Sequence, residues 1–169
     1  MKTIFPDYEF QNVTKIPESL LSDKDLIIFD IDNTLVYPET IEVRTDIQEW
    51  FKRINKKYKC VCFSNSLTIK KRQKDIESKL GCELFISKNK KPSKRLFEKI
   101  VKNYNANPKK IVVIGDFMLT DVLFGNRNGA TTILVKPFSS LESRKIKFFR
   151  VFENFLFKII KKLKSFFYS

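Results

Sequence analysis

The chain of 169 residues contains no histidine, which removes the imidazole base that Ser-His and Cys-His nucleophiles require. Cysteine is sparse: Cys60, Cys62 and Cys82 are odd in number and lack CxxC spacing. Without histidine they offer too few ligands for a four-coordinate zinc site, so they read as buried free thiols beside apolar runs. Glycine occurs only four times; with Lys, Ile, Phe and Asn abundant, this composition points to an AT-rich coding sequence, which inflates the lysine count without implying a function for each lysine. No apolar run approaches the ~20 residues that span a bilayer. The opening Met1 to Phe10 is broken by Pro6, Asp7 and Glu9 and does not read as a secretory signal. These absences point to a cytoplasmic protein.

What remains is 43% apolar, enough for one well-buried core and too little chain for two ordinary domains. Lys and Arg outnumber Asp and Glu by 33 to 19, so polyanions such as anionic membranes, nucleic acid or phosphorylated ligands are the natural partners. Charge alone does not choose among them.

Short apolar runs alternate with helical periodicity, the rhythm of an α/β fold whose parallel strands are buried on both faces. Leu26 to Asp30, Cys60 to Phe63, Glu83 to Ile86, Ile111 to Gly115 and Thr131 to Val135 are the predicted strands, five in all. Helices are predicted over Thr45 to Lys57, Leu67 to Leu80, Pro92 to Tyr104 and Thr120 to Asn128, with apolar residues three or four apart. Gly81 and Gly129 follow helices where a left-handed cap is wanted. Trp50 and Phe51 read as core residues.

Ligands of open parallel sheets bind beyond the carboxyl ends of the strands. The polar residues at those ends are Asp30 and Asp32, Ser64 and Asn65, and Asp116, with Asp121 five residues further on. Two carboxylates in DIDNT, Asp30 to Thr34, repel each other unless a cation intervenes, and hard oxygen ligands without His or Cys favour Mg²⁺. A phosphate approaching such carboxylates also needs donors and positive charge. Ser64, Asn65 and Lys91 supply these, Lys91 standing ahead of Pro92 at an expected helix start. Lys88, Lys90 and Lys94 compete for the cationic role.

Together these residues resemble the four motifs of the haloacid dehalogenase superfamily of phosphatases: DIDNT, the pair Ser64-Asn65, the pair Lys91-Pro92, and GDFMLTD from Gly115 to Asp121. The KP pattern is what selects Lys91. The resemblance implies a Rossmann-like, mainly parallel five-stranded sheet flanked by helices. It implies that Asp30 is the nucleophile that becomes an aspartyl phosphate and Asp32 the general acid and base. Ser64 and Lys91 would stabilise the transferring phosphoryl group, with Thr34 and Asn65 as substrate contacts. Mg²⁺ would be held by Asp30, the backbone carbonyl of Asp32, and Asp116, with Asp121 as a further ligand or a support for the metal site.

Only Val36 to Arg44 separates the first motif from the next helix, and Asn65 to Lys91 has room for one helix and one strand. No large cap domain is expected, and an open site suits a phosphate carried on something bulky. Phe5-Pro6-Asp7, DIDNTLV and the run GDFMLTDVLFGNRNGATTILVKP resemble the YqeG-type phosphatases, related to the phosphatidylglycerophosphate phosphatases of mitochondria and plastids. Phosphatidylglycerophosphate is the substrate this resemblance implies. Ser66 departs from the Asn expected in many relatives. Phosphatase action on nucleic-acid ends, a phosphoprotein or a soluble sugar phosphate, and a non-catalytic binding role, are the alternatives.

Residues 1–140 form the expected phosphatase domain and 141–169 a separate basic, amphipathic helical tail. The tail holds eight Lys or Arg against two Glu. Phe149, Phe152, Leu156, Ile159, Leu163 and Phe166 follow helical spacing, while Lys147, Arg150, Lys158, Lys161, Lys162 and Lys164 occupy much of the remaining circumference. Peripheral contact with an anionic membrane at the inner face fits this pattern; packing on the domain or on a second subunit fits the apolar stripe equally well.

Overall fold

A computed structural model describes residues 4–139 and the backbone of 144–167, with side chains at 146–153, 155 and 157–159 of that last segment. Five strands, β1 (Tyr8–Phe10), β2 (Leu26–Phe29), β3 (Cys60–Cys62), β4 (Ile111–Gly115) and β5 (Thr131–Val135), form one parallel sheet in the order β1-β5-β4-β2-β3. The helices are α1 (Thr45–Lys57), α2 (Ile69–Leu80), α3 (Lys94–Tyr104), α4 (Leu123–Arg127) and α5 (Arg144–Phe167).

Successive side chains of a strand point to opposite faces, and β2 uses both. Ile27 and Phe29 join the core layer containing Ile47, Trp50, Phe51 and Ile54 of α1 and Ile69, Ile76 and Leu80 of α2. Leu26 and Ile28 face the opposite layer, with Leu96, Phe97 and Ile100 of α3 and Phe124 of α4. Burial on both faces is why the central strands read as unbroken apolar runs rather than alternating ones. Trp50 and Phe51 are core residues, their rings edge-on to Phe29 at centroid distances of 6.1 and 5.1 Å.

The strand count matches the expectation, but the membership does not. Glu83 to Ile86 is not a strand: it touches the sheet through one isolated bridge, Cys62 to Leu84, and the Leu84 amide donates to the Glu77 carboxylate at 2.9 Å instead of to a neighbouring strand. The fifth strand is β1, an edge strand beside β5, too short and too polar to register as an apolar run. Three helices also begin later than their periodicity suggests, the first of them α2, which starts at Ile69 rather than Leu67. Helix α3 starts at Lys94 with Ser93 as its N-cap, so Pro92, joined to Lys91 by a cis peptide, lies outside it. The stretch expected as one helix over Thr120 to Asn128 opens with a π turn, Met118–Val122, before α4. Gly81 and Gly129 do adopt positive φ, 67° and 77°, as helix-ending residues.

The chain divides into two compact units, Met1–Ser139 and Ser140–Ser169. In the second unit, α5 exposes Phe148, Phe149, Phe152, Phe155 and Ile159 together with Lys147 and Lys158. The expected contributions of Leu156, Lys161, Lys162, Leu163, Lys164 and Phe166 lie outside the described side chains. Among the described residues no helix is long and apolar enough to cross a membrane.

Candidate active site

The carboxyl ends of the two central strands, β2 and β4, deliver Asp30 and Asp116 side by side. Their adjacency follows from the register, which pairs Phe29 with Ile114, and is extended by the Asp30 amide donating to the Ile114 carbonyl at 2.8 Å. Asp121 reaches the same point from the π turn. Its Oδ2 accepts the Phe117 amide at 3.1 Å, which fixes the carboxylate over Gly115. A Cβ at position 115 would lie 2.3 Å from the Asp121 Cγ, so glycine is what permits this approach. Carboxylate oxygens of Asp30, Asp116 and Asp121 all lie within 4.8 Å of one another.

One lysine answers this acidic group. Lys91, 5% exposed, places Nζ 2.5 Å from Asp30 Oδ1 and 2.6 Å from Asp121 Oδ1, and donates to the Phe63 carbonyl at 3.1 Å. The contact with Asp121 is a close, buried charge pair. Burial works against the lysine's charge, but Asp121 and Asp30 outweigh it and hold its pKa above the ordinary lysine range. Burial pushes the Asp30 carboxyl well above its ordinary range; Lys91 opposes the rise, and Asp121 and Asp116 add to it. Three carboxylates facing one ammonium leave surplus negative charge in a desolvated place. A hard divalent cation with oxygen preference fits that donor set.

Lys91 is held by the residue expected to touch substrate. The Asn65 side-chain amide donates to the Lys91 carbonyl at 2.9 Å, while its Oδ1 accepts the Lys91 amide at 2.8 Å. Both ends of Asn65 are therefore spent on fixing the lysine backbone. Thr34, 1% exposed, turns its hydroxyl toward Asp116 Oδ1 at 3.5 Å, a long contact that places it behind the carboxylates. Of the competing lysines, Lys90 donates to the Asn65 carbonyl at 3.0 Å and Lys94 approaches Glu98 at 3.9 Å, while Lys91 is the lysine that reaches Asp30 and Asp121.

Asp32 stands apart. The chain turns tightly after Ile31, whose carbonyl accepts both the Leu35 and Val36 amides at 2.9 Å, with Asn33 at φ 63°. This turn carries the Asp32 carboxylate away from the three-acid group and onto Arg72 of α2. The guanidinium grips it with Nη1 on Oδ1 at 3.0 Å and Nη2 on Oδ2 at 3.1 Å. Ser64 donates its hydroxyl to Oδ2 at 3.2 Å and the Glu39 amide donates to Oδ1 at 2.9 Å. The Asp32 side chain is thus engaged by Arg72, Ser64 and Glu39, and only its backbone carbonyl is expected at the metal. Arg72 was not anticipated from sequence, because it sits inside the basic run Lys70-Lys71-Arg72, which reads as a solvated surface.

The cysteines are free, and Cys62 and Cys82 are buried with their sulfurs 3.9 Å apart. Burial raises the Cys60 thiol pKa, with a further push from Cys82.

Comparison with known proteins places this geometry in context. The model of the family described as mitochondrial PGP phosphatase matches residues 1–138. The probable phosphatase YqeG of Bacillus subtilis is 35% identical over 164 residues, covering 95% of this chain and 94% of that one. Phosphatidylglycerophosphate phosphatase 1 of Arabidopsis thaliana, chloroplastic/mitochondrial, is 26% identical over 149 residues, and the match spans 82% of this chain but 42% of the plant protein. A haloacid dehalogenase-like family hydrolase from Xanthomonas campestris shares the fold, with a TM-score of 0.52 at 12% identity, over 72% of this chain and 84% of that one. An uncharacterized protein from Listeria monocytogenes serotype 4b matches with the same TM-score, 0.52, at 18% identity over 69% of this chain and 84% of that one.

Proposed function

The chain belongs to the mitochondrial PGP phosphatase family, and from that membership we propose that it works by haloacid dehalogenase chemistry, hydrolysing the phosphate monoester of a lipid, phosphatidylglycerophosphate, with Mg²⁺ as cofactor and Asp30 as nucleophile. The enzyme class is phosphoric monoester hydrolase. The observation that carries the mechanistic reading is the group of half-buried Asp30 and buried Asp116 and Asp121 answered by Lys91.

Lys91 holds Asp30 Oδ1, which leaves Oδ2 to attack phosphorus. As that bond forms and the ester bond breaks, the leaving alkoxide takes a proton from Asp32. Asp32, now a carboxylate, then takes a proton from the water that attacks the aspartyl phosphate, releasing phosphate and restoring Asp30. Lys91 stabilises negative charge on the phosphoryl oxygens through the reaction, while the Ser64 hydroxyl stays on the Asp32 carboxylate. Asn65 contributes by fixing Lys91, and Thr34 by supporting Asp116. Asp30, Asp116, Asp121 and the Asp32 carbonyl would hold the Mg²⁺, whose charge, when bound, offsets the surplus carboxylate charge and that of the phosphate.

Two features support a lipid-borne substrate. Among the described residues, the segments after β2 and between β3 and α3 contain no inserted domain that would enclose a small metabolite. Helix α5 exposes Phe148, Phe152, Phe155 and Ile159, spaced four, three and four apart and so on one face, in a segment where basic residues outnumber acidic ones eight to two. Such a helix suits the headgroup region of an anionic membrane.

The test is phosphate release from phosphatidylglycerophosphate in mixed micelles with Mg²⁺, beside a soluble sugar phosphate and a 5′-phosphorylated oligonucleotide. Preferred release from the lipid supports the substrate assignment. Preference for either soluble substrate rejects it and leaves the phosphatase chemistry in place.

A further inference from the structure

We infer that Arg72 is the positioning residue of the reaction, holding the Asp32 carboxylate at the orientation from which it exchanges protons with the leaving group and with water. This inference rests on the phosphatase reading above, in which Asp32 is the acid and base.

The first observation is where Arg72 falls on its helix. The buried residues of α2 are Ile69, Arg72, Ile76 and Leu80, spaced three, four and four. Arg72 thus occupies a core-facing position that the pattern otherwise gives to aliphatic side chains. At 8% exposure its charge is largely desolvated, and an apolar residue at such a position is often neutral or stabilising by comparison. Stability alone does not account for an arginine there.

The second observation is what the guanidinium does. Its two terminal nitrogens meet the two Asp32 oxygens in a planar fork, and Nη1 is anchored in turn on the Thr40 carbonyl at 2.5 Å. Nη2 also reaches the Ser66 hydroxyl at 3.5 Å, and among the described residues Nε has no hydrogen-bond partner, so the terminal nitrogens carry the group's bonding. A bidentate arginine fixes both the position and the plane of a carboxylate, which a lysine's single ammonium cannot do. With Ser64 on Oδ2 and the Glu39 amide on Oδ1, the carboxylate is clamped from three separate segments of chain. In the first half-reaction Asp32 gives its proton to the leaving alkoxide and is received by the fork as a carboxylate. In the second it takes a proton from the attacking water, so the fork holds it between the two steps.

A residue that acts through a general acid leaves a signature in leaving-group dependence. Departure of p-nitrophenolate needs little protonation, whereas an alkoxide needs it fully. Arg72→Met and Arg72→Lys are compared with the full-length wild type on p-nitrophenyl phosphate and on phosphatidylglycerophosphate micelles, thermal unfolding confirming the folded state. We expect kcat on the alkyl ester to fall about 100-fold in both variants, against less than about 10-fold on p-nitrophenyl phosphate, with KM changed by less than about threefold. Equal losses on the two substrates overturn the inference, as does a rise in KM with kcat preserved, which would make Arg72 a binder of substrate anion. If Arg72→Met does not fold, the charge-retaining Arg72→Lys carries the comparison; loss of the folded state in both variants also overturns it. Wild-type activity abolished by Asp30→Asn, alongside equal losses in the Arg72 variants, rejects the arginine's role alone. A wild type inactive on both esters rejects the phosphatase reading beneath it.

Discussion

Asp30 and Asp32 are two residues apart, yet they meet opposite surroundings. Asp30 ends a buried strand, shares its pocket with two further carboxylates and has one short contact to a buried ammonium. Asp32 sits beyond the turn, partly open to solvent, and is enclosed by a guanidinium fork, a hydroxyl and a backbone amide. The roles proposed for them, nucleophile and proton carrier, need different environments, and the fold gives one short motif two by drawing partner cations from remote segments, Lys91 and Arg72. Local sequence supplies the acids; their partners come from elsewhere in the chain.

The contrast can be broken most completely at Asp30. Asp30→Asn should cost at least about 10⁴-fold in kcat while remaining folded, and steady-state phosphate release measures it. Residual activity within tenfold of wild type would mean that another group attacks.

Lys91→Met removes the cation from one side of the comparison only. A loss of about 10²–10³-fold in kcat is expected, with destabilisation of roughly 3–5 kcal/mol without metal, because Asp30 and Asp121 are left with uncompensated buried charge. Added Mg²⁺ should restore more of that stability in the variant than it adds to the wild type, as thermal unfolding with Mg²⁺ or chelator would record.

Gly115→Ala tests the packing that brings Asp121 into the group. The new Cβ meets the Asp121 carboxylate, so destabilisation of about 1–3 kcal/mol is expected, together with a smaller stabilising effect of Mg²⁺ in the same unfolding assay. An unchanged response to Mg²⁺ would separate Asp121 from the metal.

The smallest effect belongs to the other side. Ser64→Ala deletes one hydrogen bond to Asp32 while the arginine fork remains, so a loss of roughly 1 kcal/mol, about fivefold in kcat, is expected. A far larger loss would mean that the hydroxyl serves the phosphoryl group more than the carboxylate.

How legible each feature was in the sequence follows the same division. The central strands announced themselves because they are apolar on both faces, and the acids because they follow those strands directly. β1 did not, since a three-residue edge strand carrying Glu9 has no apolar run to show, and Glu83 to Ile86 misled because its apolar content serves packing without a ladder. Asn65 was placed at the right end of the right strand, but only the fold reveals that its amide is spent on Lys91. Arg72 lay hidden among neighbouring lysines; its one signal was the spacing that aligns it with Ile69, Ile76 and Leu80.

The claim on which all of this turns is that phosphate passes through Asp30. It is tested by acid-quenching Asp32→Asn during reaction with p-nitrophenyl phosphate and Mg²⁺, and mapping the modification by peptide mass spectrometry. The expected result is the mass of one phosphoryl group on the peptide containing Asp30, absent when Asp30 is also changed to Asn; a phosphoryl group on any other residue would contradict it.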